Sequence, residues 1–341
     1  DEIIVFNRYD FTNLNEYNFK YQVKLDGIIV DEKILNLDIE PKHMKRIKIN
    51  LPSECKLGAY VNCYLYDKDG DITAQKQLEI PIVPAKREDI KKFAQASEDN
   101  SFITFAGNNF FYTFSKELGT FVSLVKNNEE QLKSPIRITS MRAPTDNERK
   151  MKSKWYWQNI WEGENLDRQF DKVYSCTFNN GVITVNGNLS GVSRTPYFKY
   201  TLKYIVSCEG EIQIILDGKV KDNCVWLPRL GFEIKLPYEK SEFTYYGMGP
   251  HENYCDMHHG SMVDLYTSDV DKEYVDYIVP QEHGNHTRTK KLTMDCGLEF
   301  VGDTEFEFNV SEYTSEALTK ATHINELVKN NRTNVRVDYK V

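Results

Sequence analysis

Hydrophobic and polar residues alternate over short stretches of this chain, and turn residues separate the stretches. Apolar residues occupy every second position from 19 to 25, and Asp26-Gly27 then leads into another apolar stretch. A period of two predicts a half-buried β-strand, and Asp-Gly between two such stretches predicts a tight hairpin. The pattern returns around Asp67-Lys-Asp-Gly70. Residues 1–85 are therefore predicted to form a small immunoglobulin-like β-sandwich.

Strand patterns resume after a charged stretch at residues 86–98, which is predicted to be a linker. Asn180-Gly181 separates two alternating stretches, and Glu209-Gly210 separates two more. Roughly 240 residues with such patterns predict one large double-sheet sandwich over residues 99–341. The predicted fold class is all-β, in two domains.

Two stretches have the periodicity of a helix instead. Residues 155–161 contain three of the four tryptophans, and Trp157 and Trp161 share a helical face. Residues 314–328 carry a second apolar helical face. The tryptophan pair can pack on a core or offer a flat platform to a sugar ring. Packing is favoured, because a helical aromatic pair is more often part of a core.

Charge and cysteine content exclude several classes of partner. The net charge of −8 argues against binding to a nucleic acid, which requires a basic surface. No apolar run of about 18 residues is present, so no membrane span is predicted. The seven cysteines are scattered without a Cys-x-x-Cys pair. This spacing argues against zinc and indicates reduced thiols in a cytoplasmic protein.

Candidate chemistry is concentrated in three polar runs that also contain glycine or proline. They are Arg142-Ala-Pro-Thr-Asp-Asn147, Tyr246-Gly-Met-Gly-Pro-His-Glu-Asn-Tyr254 and Pro280-Gln-Glu-His-Gly284. Polar residues on rigid turns commonly form binding surfaces on β scaffolds. Arg142 and Asp146 flank Ala-Pro, so they form either a buried salt bridge or a contact for sugar hydroxyls.

Carboxylates and imidazoles in the last two runs raise the question of acid–base catalysis. His251 and Glu252 are adjacent, so in an extended chain they would point to opposite faces. His283 and His286 do not have the spacing of a zinc site. These residues are therefore expected to order loops and to contact a sugar or a neighbouring domain, and independent catalysis is the less favoured interpretation.

In this order the three runs resemble the C-terminal region of the bacterial β-galactosidases, glycoside hydrolase family 2. Residues 157–161, Leu227-Pro-Arg-Leu-Gly231 and Phe308-Asn-Val-Ser311 continue the resemblance. Residues 1–83 are similar to the sandwich domain that precedes this region in the family. The resemblance implies a galactose-mutarotase-like β-supersandwich for residues 99–341.

Enzymes of this family are retaining glycosidases whose two catalytic glutamates lie on a (β/α)₈ barrel, together with magnesium and alkali ions. No strand–helix alternation long enough for a barrel is present here. The resemblance therefore implies no catalytic residue, no metal site and no cofactor in this chain, which is expected to be truncated at both ends and inactive alone. Its implied role is to support the barrel and border the β-galactoside site, with a homo-oligomer left open. A carbohydrate-binding module and an aldose-epimerase-like sandwich are the alternatives.

The resemblance and the turn chemistry together select residues for contact with carbohydrate or with another domain. They are Arg142, Asp146, Asn147, Glu252, Asn253, Tyr254, Glu282 and Asn285.

Overall fold

Antiparallel strands make up most of the computed structural model, which describes residues 2–84, 87–151, 164–222, 224, 226–237, 239, 241–329 and 331–341. The first six strands are β1 (Glu2–Phe6), β2 (Asn18–Leu25), β3 (Ile28–Asn36), β4 (Met44–Lys48), β5 (Ala59–Tyr66) and β6 (Ile72–Glu79). They form a four-stranded sheet in the order β3-β2-β5-β6 and a two-stranded sheet of β1 and β4. Tyr21 and Val23 of β2 are fully buried and belong to one hydrophobic cluster with residues of both sheets.

Sixteen further strands and two α-helices follow among the described residues. They are β7 (Gln95–Glu98), β8 (Phe102–Ala106), β9 (Phe110–Ser115), β10 (Thr120–Lys126), β11 (Glu129–Glu130), β12 (Arg137–Thr139), α1 (Asp146–Met151), β13 (Gln169–Asn179), β14 (Val182–Gly191), β15 (Phe198–Val206), β16 (Ile212–Val220), β17 (Leu230–Pro237), β18 (Glu242–Gly249), β19 (Met262–Asp269), β20 (Asn285–Met294), β21 (Glu299–Ser311), α2 (Ser315–Lys320) and β22 (Arg332–Lys340). Short 3₁₀-helices span Leu14–Glu16, Leu166–Arg168 and Ile324–Glu326.

These strands form three sheets around one hydrophobic cluster. The sheet orders are β11-β10-β9-β8-β7, β13-β14-β15-β16 and β12-β17-β22-β21-β20-β18-β19. Phe121 packs edge-to-face on Phe114 at 5.1 Å and on Tyr204 of the second sheet at 5.7 Å. Phe308 and Val335 of the third sheet belong to the same cluster. Packed antiparallel sheets confirm the predicted all-β class.

Two predicted hairpins are confirmed in detail. Asp26 and Gly27 have φ values of 52° and 85° between the paired residues Leu25 and Ile28. Asn180-Gly181 has φ values of 49° and 79° between β13 and β14. Positive φ at both central residues is the type I′ geometry whose twist matches that of the flanking strands.

The helix predicted over residues 314–328 is wrong in its length. α2 ends at Lys320, and Ala321 is already extended, with φ −67° and ψ 135°. Beyond it the backbone N–H and the hydroxyl of Thr322 both donate hydrogen bonds to the Glu326 carboxylate. Such local side-chain bonds offer the backbone an alternative to the helix. The buried face of α2 includes Leu318.

The predicted linker and the predicted tryptophan helix have different outcomes. Gln95–Glu98, at the end of the predicted linker, pairs with β8 as strand β7, and the division into domains stays a prediction. The tryptophan helix predicted at residues 155–161 lies outside the described residues. No helix in the described ranges has the length and apolar character to cross a membrane.

The four-stranded sheet of β2, β3, β5 and β6 contacts the seven-stranded sheet along β19. The Gln77 side-chain amide donates to the carbonyl of Val263 at 2.9 Å and accepts from its N–H at 2.8 Å. Tyr60 packs in a buried cluster with Tyr246, Met248 and Val263. At Val263 the edge strand of the large sheet is therefore bonded by a side chain as a neighbouring strand would bond it.

Replacing Gln77 by alanine is expected to lower the free energy of unfolding by about 1–3 kcal/mol, because a buried N–H and a buried C=O would lose their partners. Amide hydrogen exchange at Val263 should accelerate by roughly tenfold or more, since each 1.4 kcal/mol is a factor of ten. Gln75→Ala, at an exposed position of the same strand, is the control. Equal protection of Val263 in both variants would contradict this role of Gln77.

Candidate functional site

Strands β17, β21 and β22 bring charged residues together inside the seven-stranded sheet. Asp338 of β22 is the register partner of Gly231 on one side and of Glu307 on the other. A Cβ atom at position 231 would lie 2.3 Å from both the Asp338 Oδ1 atom and the Val337 carbonyl oxygen. Glycine at 231 therefore allows the close approach of the two strands that places Asp338 beside Arg229.

Arg229 is the centre of this group. Its Nε donates to Asp338 Oδ2 at 3.0 Å, and its Nη2 donates to Glu282 Oε1 at 2.9 Å. The Arg229 side chain is 0% exposed, and the carboxylates are 0% and 2% exposed. Burial of an ion is tolerated only with such partners, because the cost of desolvation is several kcal/mol per ion.

The two carboxylates of Arg229 titrate differently. Burial raises the pKa of Asp338 to about 7, against the opposing charge of Arg229, and the negative charges of Glu282 and Glu307 add to the effect. Burial also opposes ionisation of Glu282, but Arg229 and Arg336 outweigh it and hold the pKa of Glu282 below its ordinary value. Glu282 is thus the anionic partner of Arg229, and Asp338 is the partner that takes up a proton near neutrality.

A second buried ion group lies on the same strands. Arg336 of β22 donates to Glu233 at 3.2 Å and to the Asn309 side-chain oxygen at 2.7 Å. Glu233 also accepts from Arg137 at 2.9 Å and pairs with Lys235. Although burial acts in the opposite direction, these cations lower the pKa of Glu233 to about 2. Glu233 is therefore ionised throughout the neutral range.

The run at residues 246–254 is tied to the loop at residues 280–284 by its own side chains. Glu252 accepts from the Gly284 N–H at 2.8 Å and from the Tyr277 hydroxyl. Asn253, which is fully buried, donates to two carbonyls and accepts from the N–H and the hydroxyl of Thr287. The bonding capacity of the Asn253 amide is thus used within the chain.

The run at residues 142–147 forms the start of α1. Arg142 makes two hydrogen bonds of 3.0 Å with the two Glu148 oxygens. Glu148 also accepts from the Thr145 N–H at 2.7 Å, and Thr145 Oγ1 accepts from the Glu148 N–H, which is a capping box. Arg142 therefore forms a half-buried salt bridge with Glu148, which the sequence interpretation did not select.

The remaining predicted residues are placed as follows. The N–H of Asp146 donates to the side-chain oxygen of Gln281 at 2.7 Å, which joins α1 to the loop at residues 280–284. Asn147 is exposed. The Asn285 amide donates to Glu307 at 2.9 Å and to the Asn253 carbonyl. Contact of the eight predicted residues with sugar or with another domain stays a prediction.

This network contains buried polar atoms that form no hydrogen bond with any part of the chain that the structure describes. They are Arg229 Nη1, the Tyr254 hydroxyl oxygen, Asn285 Oδ1 and Asp338 Oδ1. Burial raises the pKa of Tyr254 well above its ordinary value, and the negative charges of Glu282 and Glu252 add to this. Tyr254 is therefore a neutral phenol within the same charged network.

The candidate histidines are in unlike environments. His286 is fully buried, with Nε2 at 2.7 Å from Glu273 and Nδ1 at 3.2 Å from the Met248 carbonyl. His251 is exposed. His283 lies with its Nδ1 at 2.8 Å from the Gln281 carbonyl. No group of His, Cys, Asp and Glu with the geometry of a metal site exists among the described residues.

Sequence reasoning selected Glu282 but missed Arg229, Asp338, Arg336 and Glu307. A signal for them existed in β22, where polar residues alternate with valines, but alternation also fits a strand with one solvated face. In the structure most of β22 is buried on both faces, between β17 and β21. Chemically, the network is an internal set of ion pairs that joins loops to strands, and it is closed to solvent.

Comparisons with known proteins agree with this architecture. Residues 106–341 match the family described as "Beta galactosidase small chain", and residues 3–65 match "Beta-galactosidase, domain 4". The β-galactosidase of Actinobacillus pleuropneumoniae is 24% identical over 100% of this chain and 35% of the relative. The β-galactosidase of Priestia megaterium is 28% identical over 98% of this chain and 34% of the relative. The chain thus spans about a third of the length of these curated relatives. It belongs to the β-galactosidase small chain family.

Proposed function

We propose that this chain is the non-catalytic part of a β-galactosidase, which supports a catalytic barrel and borders the galactoside site. The observation that carries the proposal is that the clustered carboxylates of the candidate site are internal. The side chains of Glu282 and Asp338 are 2% and 0% exposed, and both are bonded to Arg229. A retaining glycosidase instead needs two carboxylates on either side of a substrate bond, about 5–5.5 Å apart.

The length of the relatives supports the same proposal. Proteins named β-galactosidase are about three times as long as the part of them that this chain matches. The partner proposed is therefore the catalytic region of the same enzyme, and the substrate of the whole is a β-galactoside. The cysteines are scattered along the chain without a Cys-x-x-Cys pair, which favours a reducing compartment, so we place the protein in the cytoplasm.

The test uses a chromogenic β-galactoside and a host without its own β-galactosidase. Three proteins are compared: this chain, the region encoded upstream of it in its own gene, and the two joined as one chain. We expect turnover by the joined protein, none by this chain, and a loss of at least about a hundredfold for the upstream region alone, because misplaced catalytic groups lose effects of this size. Turnover by this chain, or full activity of the upstream region alone, would overturn the proposal.

A further inference from the structure

A small cleft lies beside the loop at residues 280–284, outside the buried ion network. Its volume is about 170 Å³, and its lining includes Tyr274, His283, Ser311, Glu312, Tyr313 and Lys329. Glu282 pairs with Arg229, whereas the next residue, His283, lines the cleft. The loop therefore contributes to two separate environments, and the second is a cleft.

Three aromatic rings form a fixed wall of this cleft. Tyr274 packs edge-to-face on His283 with ring centroids 5.1 Å apart, and on Tyr313 with centroids 5.6 Å apart. Val270 and Val310 also line the cleft and are 2% and 1% exposed. Edge-to-face pairs are a favoured aromatic geometry, so the wall is formed before any ligand binds.

His283 lines the cleft and holds one of its ring nitrogens in a hydrogen bond within the chain. Its Nδ1 lies 2.8 Å from the Gln281 carbonyl oxygen. A carbonyl only accepts, so Nδ1 carries the proton, and in the neutral ring Nε2 is left as an acceptor. Nε2 and the hydroxyls of Tyr274 and Tyr313 have no hydrogen-bond partner within the described ranges. Three residues that line the cleft thus each have a polar atom that is not bonded within the described ranges.

The charges at the cleft disfavour an anion. Lys329 lies 2.8 Å from Glu312 and 3.4 Å from Asp271. One ammonium group thus contacts two carboxylates at the cleft. A neutral ligand that offers hydroxyl donors to His283 and to the phenol oxygens fits this surface better than a phosphate or a carboxylate does.

We propose that this cleft binds one neutral sugar ring. The cleft volume of about 170 Å³ is on the scale of a single hexose-sized ring. A ring hydroxyl donates to His283 Nε2, and the Tyr274 and Tyr313 hydroxyls bond to neighbouring ring oxygens. The apolar face of the ring lies against the aromatic wall. This inference concerns binding alone and does not depend on the proposed function.

The test is a titration of the whole chain with methyl β-galactoside, followed by saturation-transfer NMR. Tyr274→Phe and Tyr313→Phe each delete one hydroxyl and keep the ring. Each is expected to weaken binding by roughly 2- to 10-fold, the value of one neutral hydrogen bond. Tyr339→Phe changes a tyrosine that is 78% exposed and lies outside the cleft, and it should bind as the unchanged chain does.

Further arms of the titration identify the ligand class. Galacturonate has the same ring with a negative charge, and it should bind roughly 3-fold more weakly. Free galactose and lactose distinguish a free monosaccharide from the terminal unit of a longer glycan. Absence of saturable binding below about 100 mM, or unchanged binding in the Tyr274→Phe/Tyr313→Phe double variant, would overturn the inference. Binding is measured on this chain alone, so a negative result here leaves the galactosidase test unaffected, and the reverse also holds.

Discussion

Replacing Arg229 by methionine is expected to lower the free energy of unfolding by about 3–5 kcal/mol at pH 8. Methionine fills much of the same volume but leaves Glu282 and Asp338 as buried carboxylates without their cation. Breaking a buried ion pair is strongly destabilising because the remaining charge is neither solvated nor compensated. A loss of this size is a large fraction of the total free energy of unfolding of a typical domain, which is roughly 5–15 kcal/mol.

Urea unfolding, followed by circular dichroism, measures the effect. Arg46→Met is the matched control, since Arg46 pairs with Glu2 at 3.3 Å and its side chain is 64% exposed. We expect that exposed pair to contribute less than about 1 kcal/mol. Adding Glu282→Gln to Arg229→Met should restore part of the loss, because it removes the carboxylate that stays ionised. If Arg229→Met is as stable as Arg46→Met, the ion network does not stabilise the sheet.

Asp338 is expected to make the protein less stable as pH rises towards neutrality. Its pKa is about 7 in the folded chain and about 3.9 in an unfolded one. The folded state therefore binds the proton more tightly, so the contribution of Asp338 is complete below about pH 4 and is lost as pH rises through 7. Each pKa unit is worth about 1.4 kcal/mol, and the total over this window is about 4 kcal/mol.

The free energies of unfolding of the unchanged chain and of Asp338→Asn, measured from pH 4 to pH 8, isolate this contribution. The difference between the two should change by about 4 kcal/mol over the window, with Asp338→Asn gaining relative to the unchanged chain as pH rises. Glu233 affects stability over a different pH range. Its pKa is lowered to about 2, so its contribution to the free energy of unfolding is lost only in acid. If the difference in free energy of unfolding between the two proteins stays constant with pH, Asp338 has the same pKa in the folded and the unfolded chain.

Local chemistry explains which parts of this fold were predictable. Asp26-Gly27 and Asn180-Gly181 adopt positive φ at both positions because Asx and glycine tolerate it, so both hairpins followed from two residues each. The length of α2 could not be predicted from local residues in this way, because Thr322 and Glu326 bond to each other beyond the end of the helix. Helix propensity averaged over a stretch of sequence does not include such a side-chain hydrogen bond.

The candidate site was predictable only in part, for a different reason. Turn residues identified the loops that carry Glu252 and Glu282, since glycine and proline are visible in sequence. Arg229 and Asp338 lie 109 positions apart and meet through the pairing of β17 with β22. Neither residue shows from sequence alone that it is buried, because that depends on which strands lie on each side of it.

The side chain of Gln77 also bears on how this protein avoids self-association. An open edge of a long sheet is a template for another chain, and natural proteins cover such edges or keep the edge strand short. At one end of the seven-stranded sheet the amide of Gln77 occupies the Val263 backbone groups. At the other end β12 has three residues. Among the described residues, the edge strand of the seven-stranded sheet is therefore closed to another chain at Val263 while the contact with the first sandwich is intact, and the strand at the opposite edge is short.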